Sequence, residues 1–236
     1  SLTLHAIGIP GASPHGEAAE YGGEKGVTVP PSPRFASLFR RLDRIANESG
    51  LIEEFEVTLE TTHHGPLLDT PTLFIEIGST EEHWGRTDAA EVWADVLAEE
   101  FDLEEEVEVA VVRELAFLGL GGGHYAPRHQ AILRGTSAHC GHLLASYSLP
   151  FIQPQAPDWD PLTGPLPEGL WKDAIDGCLE QTKRVFPDSR IVAHLDRKSF
   201  KGWQRQSIRR HLESKGIPLF RQADFVAFDE SKRELS

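Results

Sequence analysis

Eleven histidines are many for a chain of 236 residues, and their positions suggest chemistry. His63 and His64 close one alternating stretch, His124 and His129 flank a glycine-rich turn, and His139 and His142 follow ten residues later. Imidazole exchanges protons near neutral pH and is also a good zinc ligand. Singly, each of these histidines reads as loop filler; as a set at three successive turns they read as one site. His139-x-x-His142 alone does not specify a metal, because no His-Glu-x-x-His or Cys-x-x-Cys accompanies it. Glu76 lies inside the apolar run Leu73 to Ile77, where a carboxylate must be paired, protonated or metal-bound. A salt bridge to a buried arginine would serve it as well as a catalytic role. Glu60 is a weaker candidate of the same kind. The glycines at 119, 121, 122 and 123 allow close backbone approach and offer N–H groups to a ligand carbonyl or oxyanion. Their spacing matches a dinucleotide fingerprint only in part, and no Gly-Lys-Ser/Thr follows, which argues against a nucleotide phosphate loop.

The elements that must position these groups alternate strand with helix, the mark of a layered α/β domain. Strands are predicted at 2–7, 55–59, 73–77, 115–120 and 190–195, with short ones near Ile217 and Phe225. The 55–59 strand alternates and reads as half-buried; the 73–77 run is continuous and reads as buried on both faces. Helices are predicted from Ser32-Pro33, as N-cap and first-turn proline, to just before Gly50, and over 88–101, 168–185 and 201–214, the first two with apolar faces. A Gly/Pro-rich loop runs to Pro33, and a Pro-rich loop over 150–167 reads as a cover over a site. In α/β domains catalytic groups collect at strand ends, so the double-histidine turn and the glycine turn should meet at the edge of one sheet. The whole chain, 1–236, reads as a single compact domain.

The formal charge is −14, with 16 arginines but only 7 lysines, a composition suited to solubility in high salt. Residues 1–112 carry 23 acidic and 6 basic side chains, whereas 113–236 carry 14 and 17. Within the second half, 183–221 holds eleven Lys or Arg against three acids. Lys201, Arg205 and Arg209 fall on one face of a predicted helix, a stripe able to follow a phosphate backbone, with Lys198 nearer the preceding strand end. No apolar run approaches the ~20 residues of a membrane span, and two cysteines do not make a disulfide scaffold. These features point to a cytoplasmic protein. With no methionine, and Ser1 already in a strand, the natural chain is expected to begin upstream.

Thr-His-His-Gly-Pro (Thr62 to Pro66), Glu-Ile-Gly-Ser-Thr-Glu (Glu76 to Glu81) with Trp84 beyond, Gly-Gly-Gly-His-Tyr-Ala-Pro-Arg (Gly121 to Arg128), Gly141-His142 and Asp196-Arg197-Lys198-Ser199 resemble, in order and spacing, the archaeal and plant type of D-aminoacyl-tRNA deacylase. The resemblance starts at Leu2-Thr3-Leu4-His5 and covers essentially the whole chain. It implies hydrolysis of the ester between a D-amino acid and the terminal ribose of tRNA, a translation quality-control activity. It also implies zinc and a three-layer mixed-sheet fold like the phosphorylase/hydrolase fold of some zinc peptidases. Family members carry further strands upstream, including a Ser-Arg-His type motif, and tend to have asparagine where Ile9 stands. On this reading His63, His64, Glu76, His124 and Tyr125 are catalytic. Zinc would take a subset of His63, His64, His124, His129, His142 and Glu76. The amides of Gly121, Gly122 and Gly123 and the Tyr125 hydroxyl would orient the carbonyl, and Arg128, Lys198, Lys201, Arg205 and Arg209 would hold D-aminoacyl-tRNA. No protein partner is evident, and a monomer is expected. The competing readings are a zinc peptidase or small-ester hydrolase using the same histidines, and a non-catalytic RNA-binding protein.

Overall fold

A computed structural model describes residues 1–11, 20–78, 80–101 and 114–233. Ser79 of the Glu76–Glu81 motif and residues 12–19 of the Gly/Pro-rich loop lie outside the described residues. The strands are β1 (Leu2–Ala6), β2 (Val57–Leu59), β3 (Leu73–Ile77), β4 (Leu115–Leu120), β5 (His139–Leu144), β6 (Arg190–Leu195) and β7 (Leu219–Phe220). The helices are α1 (Phe35–Glu48), α2 (Glu81–Trp84), α3 (Thr87–Glu100), α4 (Pro127–Gly135), α5 (Trp171–Val185), α6 (Gly202–Ser214) and α7 (Gln222–Arg233). The α/β class expected from the alternation is what the chain adopts, but its sheet comes in two parts. One has the order β2-β1-β3, with β3 antiparallel to β1; the other has the order β5-β4-β6-β7 and is parallel throughout.

The alternation of β4 shows how the second sheet is layered. Leu115 and Phe117 enter a core shared with α1, α3, α4 and α7, whereas Leu118 and Leu120 enter another with α5 and α6. Both faces are covered, as a parallel sheet requires. On β1, Leu2 and Leu4 join the first of these cores, so the period of two turns Thr3 and His5 to the opposite face. Register places Thr3 beside Thr58 and Glu76, and His5 beside Phe74. That face of the small sheet is therefore polar although it is largely buried, and it is where functional groups gather.

The two parts of the sheet are joined by the chain that continues β2. Glu60 N–H donates to the Leu4 carbonyl at 3.2 Å, Thr61 N–H to the His124 carbonyl at 2.8 Å, and Thr62 N–H to the Leu143 carbonyl at 2.7 Å. Within three residues the backbone passes from the small sheet to the glycine turn and then to β5. The double-histidine turn and the glycine turn thus follow strands of different sheets, not of one.

Several expectations change for physical reasons. β3 is an edge strand, half-buried along its length, because it has a partner only at β1; its apolar run covers α1 and α3 from one side. β2 is buried on both faces, because the Gln130 side chain caps Thr58 and the strand backbone. His139-Cys140-Gly141-His142 forms strand β5 rather than a turn, with Gly141 set against Thr182 of α5 where a side chain would not fit. Phe225 belongs to α7, not to a strand. The Pro-rich loop packs on α6 and the start of α5, not over the histidines: Trp159 meets Trp203, Phe151 stacks on Trp171, and Arg210 donates to the carbonyls of Pro161 and Gly164.

Candidate functional site

Four segments converge at the C-terminal end of β1. The strand itself brings His5, the continuation of β2 brings Glu60, His63 and His64, the glycine turn after β4 brings His124, and β3 brings Glu76. His5 and His63 stack with ring centroids 4.0 Å apart, His64 meets both at 4.8 and 4.6 Å, and His124 lies 4.9 Å from His63. The ligand atoms of His5, His63 and His64 all lie within 4.8 Å of one another, as do those of Glu60, His63 and His124, and those of His5, Glu60 and Glu76. His64 is held at φ 40°, a conformation L-residues rarely adopt, and such strain concentrates at functional sites. His5 is the residue that sequence reasoning passed over. Its signal was present: alternation along β1 turns it away from Leu2 and Leu4, at a strand end.

Hydrogen bonds fix the proton positions. His5 Nδ1 lies 3.0 Å from the Ala6 carbonyl, His63 Nδ1 2.7 Å from the Thr61 carbonyl, and His64 Nδ1 2.5 Å from the Gly65 carbonyl. A carbonyl oxygen only accepts, so each Nδ1 donates and carries the proton. Each Nε2 is then left for another partner. His5 Nε2 faces Glu76 Oε1 at 3.1 Å, and His63 Nε2 faces Glu60 Oε2 at 3.6 Å. Burial first, then the neighbouring imidazoles, hold His63 neutral down to a pKa of about 3. An acceptor nitrogen set against a carboxylate repels it unless a cation lies between them. Histidines anchored through Nδ1–H to a carbonyl, with Nε2 directed at carboxylates, form the donor set that zinc uses; the residues present fit that ion.

His124 behaves differently. Its Nε2 lies 3.2 Å from Glu60 Oε2, and this bond raises its pKa against the opposing effect of burial. Glu60 is the better-buried carboxylate, at 5% exposure. Glu76, with its side chain 35% exposed, sits at the rim, its pKa lowered mainly by the hydrogen bond from His5. The sequence ranks these two in the opposite order.

The family model for D-aminoacyl-tRNA deacylase matches residues 1–220. A D-aminoacyl-tRNA deacylase of Arabidopsis thaliana is 43% identical over 231 residues, covering 96% of this chain and 72% of the relative. This chain belongs to the D-aminoacyl-tRNA deacylase family. A relative of the same name from Methanosarcina barkeri is 32% identical over 226 residues, and the chain spans 61% of its length. The crystal structure of a conserved protein of unknown function superimposes with a TM-score of 0.70 at 24% identity, over 95% of this chain and 66% of that one. That likeness concerns the fold alone.

With the family in view, the remaining motif residues fall into two groups. His129 and His142 lie outside the cluster. His129 shares a hydrogen bond of 2.9 Å with His194, Nδ1 to Nδ1, and His142 Nδ1 bonds the Thr62 hydroxyl at 3.0 Å; both are buried in the frame behind the site. The glycine amides are largely engaged as well. Gly121 N–H donates to the Leu144 carbonyl and Gly122 N–H to Ser199 Oγ, both at 2.8 Å. Two of the three expected oxyanion donors are therefore committed to holding the turn. Its φ values of 104° at Gly121 and 95° at Gly122 explain the glycines. Ser199 Oγ in turn donates to Asp196 Oδ2, and Asp196 Oδ1 pairs with Arg128 Nε at 2.9 Å.

Arg128 also lines a groove of about 970 Å³ beside β6 and β7, together with Arg197, Lys198, Arg205, Arg209 and Arg221; Asp196 is the one acidic residue in its lining. Lys201 lies outside this lining, at the N-cap of α6. Arg205 donates to the carbonyls of Arg197 and Phe200, so it braces the turn as well as lining the groove.

The buried histidines set a pH dependence. Desolvation lowers the pKa of His129 and of His142 from 6.5 to about 3. Between those values the unfolded chain binds protons that the folded protein refuses, so this stability is full above pH 6.5 and is lost as pH falls toward 3. Each histidine contributes at most about 1.4 kcal/mol per pH unit. His124, with its raised pKa, offsets part of one. The urea midpoint should fall between pH 7 and pH 5, and His129→Gln should flatten that fall. An unchanged midpoint in the parent protein would contradict this assignment.

Proposed function

We propose that this chain hydrolyses the ester linking a D-amino acid to the terminal ribose of tRNA, with the histidine–glutamate cluster as its reaction centre and the basic groove as its RNA seat. One observation carries the reading: His124 of a histidine–glutamate cluster stands four residues before Arg128, which lines a groove with five other cations, in a molecule whose net charge is −14. A protein so acidic approaches a polyanion only where its positive side chains are gathered. His5, His63 and His64, with Glu76, are the residues that would hold zinc, which would supply Lewis-acid polarisation of the ester carbonyl.

The chain's own residues divide the proton work. Glu60 accepts a proton from the attacking water as its oxygen adds to the ester carbonyl carbon. His124, charged through its bond to Glu60, donates a proton to the ribose oxygen as the carbon–oxygen bond breaks. The pair ends as a neutral carboxylic acid beside a neutral imidazole, and one transfer between them restores the starting state. Glu76 keeps His5 oriented. The Arg128–Asp196–Ser199–Gly122 chain ties the RNA seat to the backbone that carries His124.

Glu60→Gln removes the base and the charge that sustains His124 while keeping the shape. Turnover of D-aminoacyl-tRNA should fall by at least about 100-fold, with folding checked by circular dichroism; near-normal turnover would remove Glu60 from the chemistry. Lys198→Gln with Arg209→Gln tests the seat without disturbing the turn that Arg205 braces. At low salt the pair should raise KM and flatten its salt dependence by roughly one logarithmic unit per contact. An unchanged KM would make the groove a solvated surface.

A further inference from the structure

Tyr125 stands in the chain between His124 of the reaction centre and Arg128 of the basic groove, and it is 42% exposed. Its ring centroid lies 5.0 Å from that of His124, with the planes at 74°. Its backbone is fixed rather than loose: Tyr125 is bridged to Glu60, and the next residue, Ala126, donates to the Leu59 carbonyl at 3.0 Å. Two residues after Tyr125, α4 begins at Pro127, and Arg128 in its first turn already lines the groove. The hydroxyl makes no hydrogen bond among the described residues. What the backbone holds in place is thus an exposed ring face, with no partner aiming its polar tip.

We propose that the Tyr125 ring is the stacking platform for the terminal nucleobase of the substrate tRNA. This rests on the deacylase reading above, which places the terminal ribose at the histidines. The phosphates of the preceding nucleotides then run toward Arg128 and the groove, and the base carried by the ribose at the histidines comes within reach of the Tyr125 ring, 5.0 Å from that of His124. An aromatic face accepts any base without reading its edge, which suits an enzyme whose substrates share one terminal sequence. The ring replaces the hydroxyl as the working part of this residue, and the two roles are separable by experiment.

The probe is tRNA with 2-aminopurine in place of the terminal adenine, whose fluorescence drops on stacking. The parent protein and Tyr125→Phe should quench it; Tyr125→Leu and Tyr125→Ala should not. With D-aminoacyl-tRNA, Y125F should keep KM within about twofold, whereas Y125L and Y125A should raise it at least about tenfold. Melting curves confirm that the variants fold, and Y125L retains apolar bulk should Y125A not fold. Equal losses in Y125F and Y125A would return the role to the hydroxyl, and quenching by Y125L as strong as by the parent would rule out the platform. Quenching by a parent protein that cleaves no D-aminoacyl-tRNA would uphold the platform and defeat the deacylase reading instead.

Discussion

A histidine that gives its only proton to a backbone carbonyl presents a lone pair at its other nitrogen, and in this protein the lone pair of His63 points at a carboxylate. His63 faces Glu60 at 3.6 Å, an arrangement repulsive unless positive charge lies between the partners, while His5 bonds Glu76 at 3.1 Å. Much of the architecture follows from that requirement. The polar face of the small sheet carries His5, Glu60 and Glu76; the chain leaving β2 must then turn so that His63 and His64 close over them. Its backbone is captured on the way by the carbonyls of His124 and Leu143. The same few residues that join the two sheets also build the centre.

The charge distribution has a comparable logic. Acidic residues dominate the first half of the chain, and six of the second half's cations line one groove. Arg128 belongs to that groove and, through Asp196 and Ser199, to the amide of Gly122. A ligand gripping the groove is thereby mechanically connected to the turn that presents His124. The glycines serve this connection: their positive φ values form the turn, and two of their amides are spent on holding it.

The amino-acid sequence made the α/β class legible, since period-two and period-3.6 stretches alternate with turn signals between them. His63, His64 and His124 were also legible, because they stand at strand ends beside glycine and proline. What local pattern cannot report is which face of a strand meets which neighbour. Glu76 looked deeply buried because its run is apolar, yet an edge strand has only one covered side. Glu60 looked ordinary in an alternating stretch, yet His124 meets its carboxylate at 3.2 Å and the Tyr125 backbone bridges to it, so that it is enclosed. His129 and His142 carried the same side chain at equally suggestive places and are frame residues, paired with His194 and Thr62. His5 was hidden by the apolar residues around it.

His5, His63 and His64 are proposed to turn their Nε2 atoms toward a bound cation. Anomalous diffraction recorded above and below the zinc absorption edge, on crystals of the protein grown with zinc, tests it most directly. An edge-dependent peak is expected within coordination distance of those three nitrogens and of a Glu76 oxygen. A zinc-loaded crystal with no peak there, or with its only peak at His129 and His194, would contradict it.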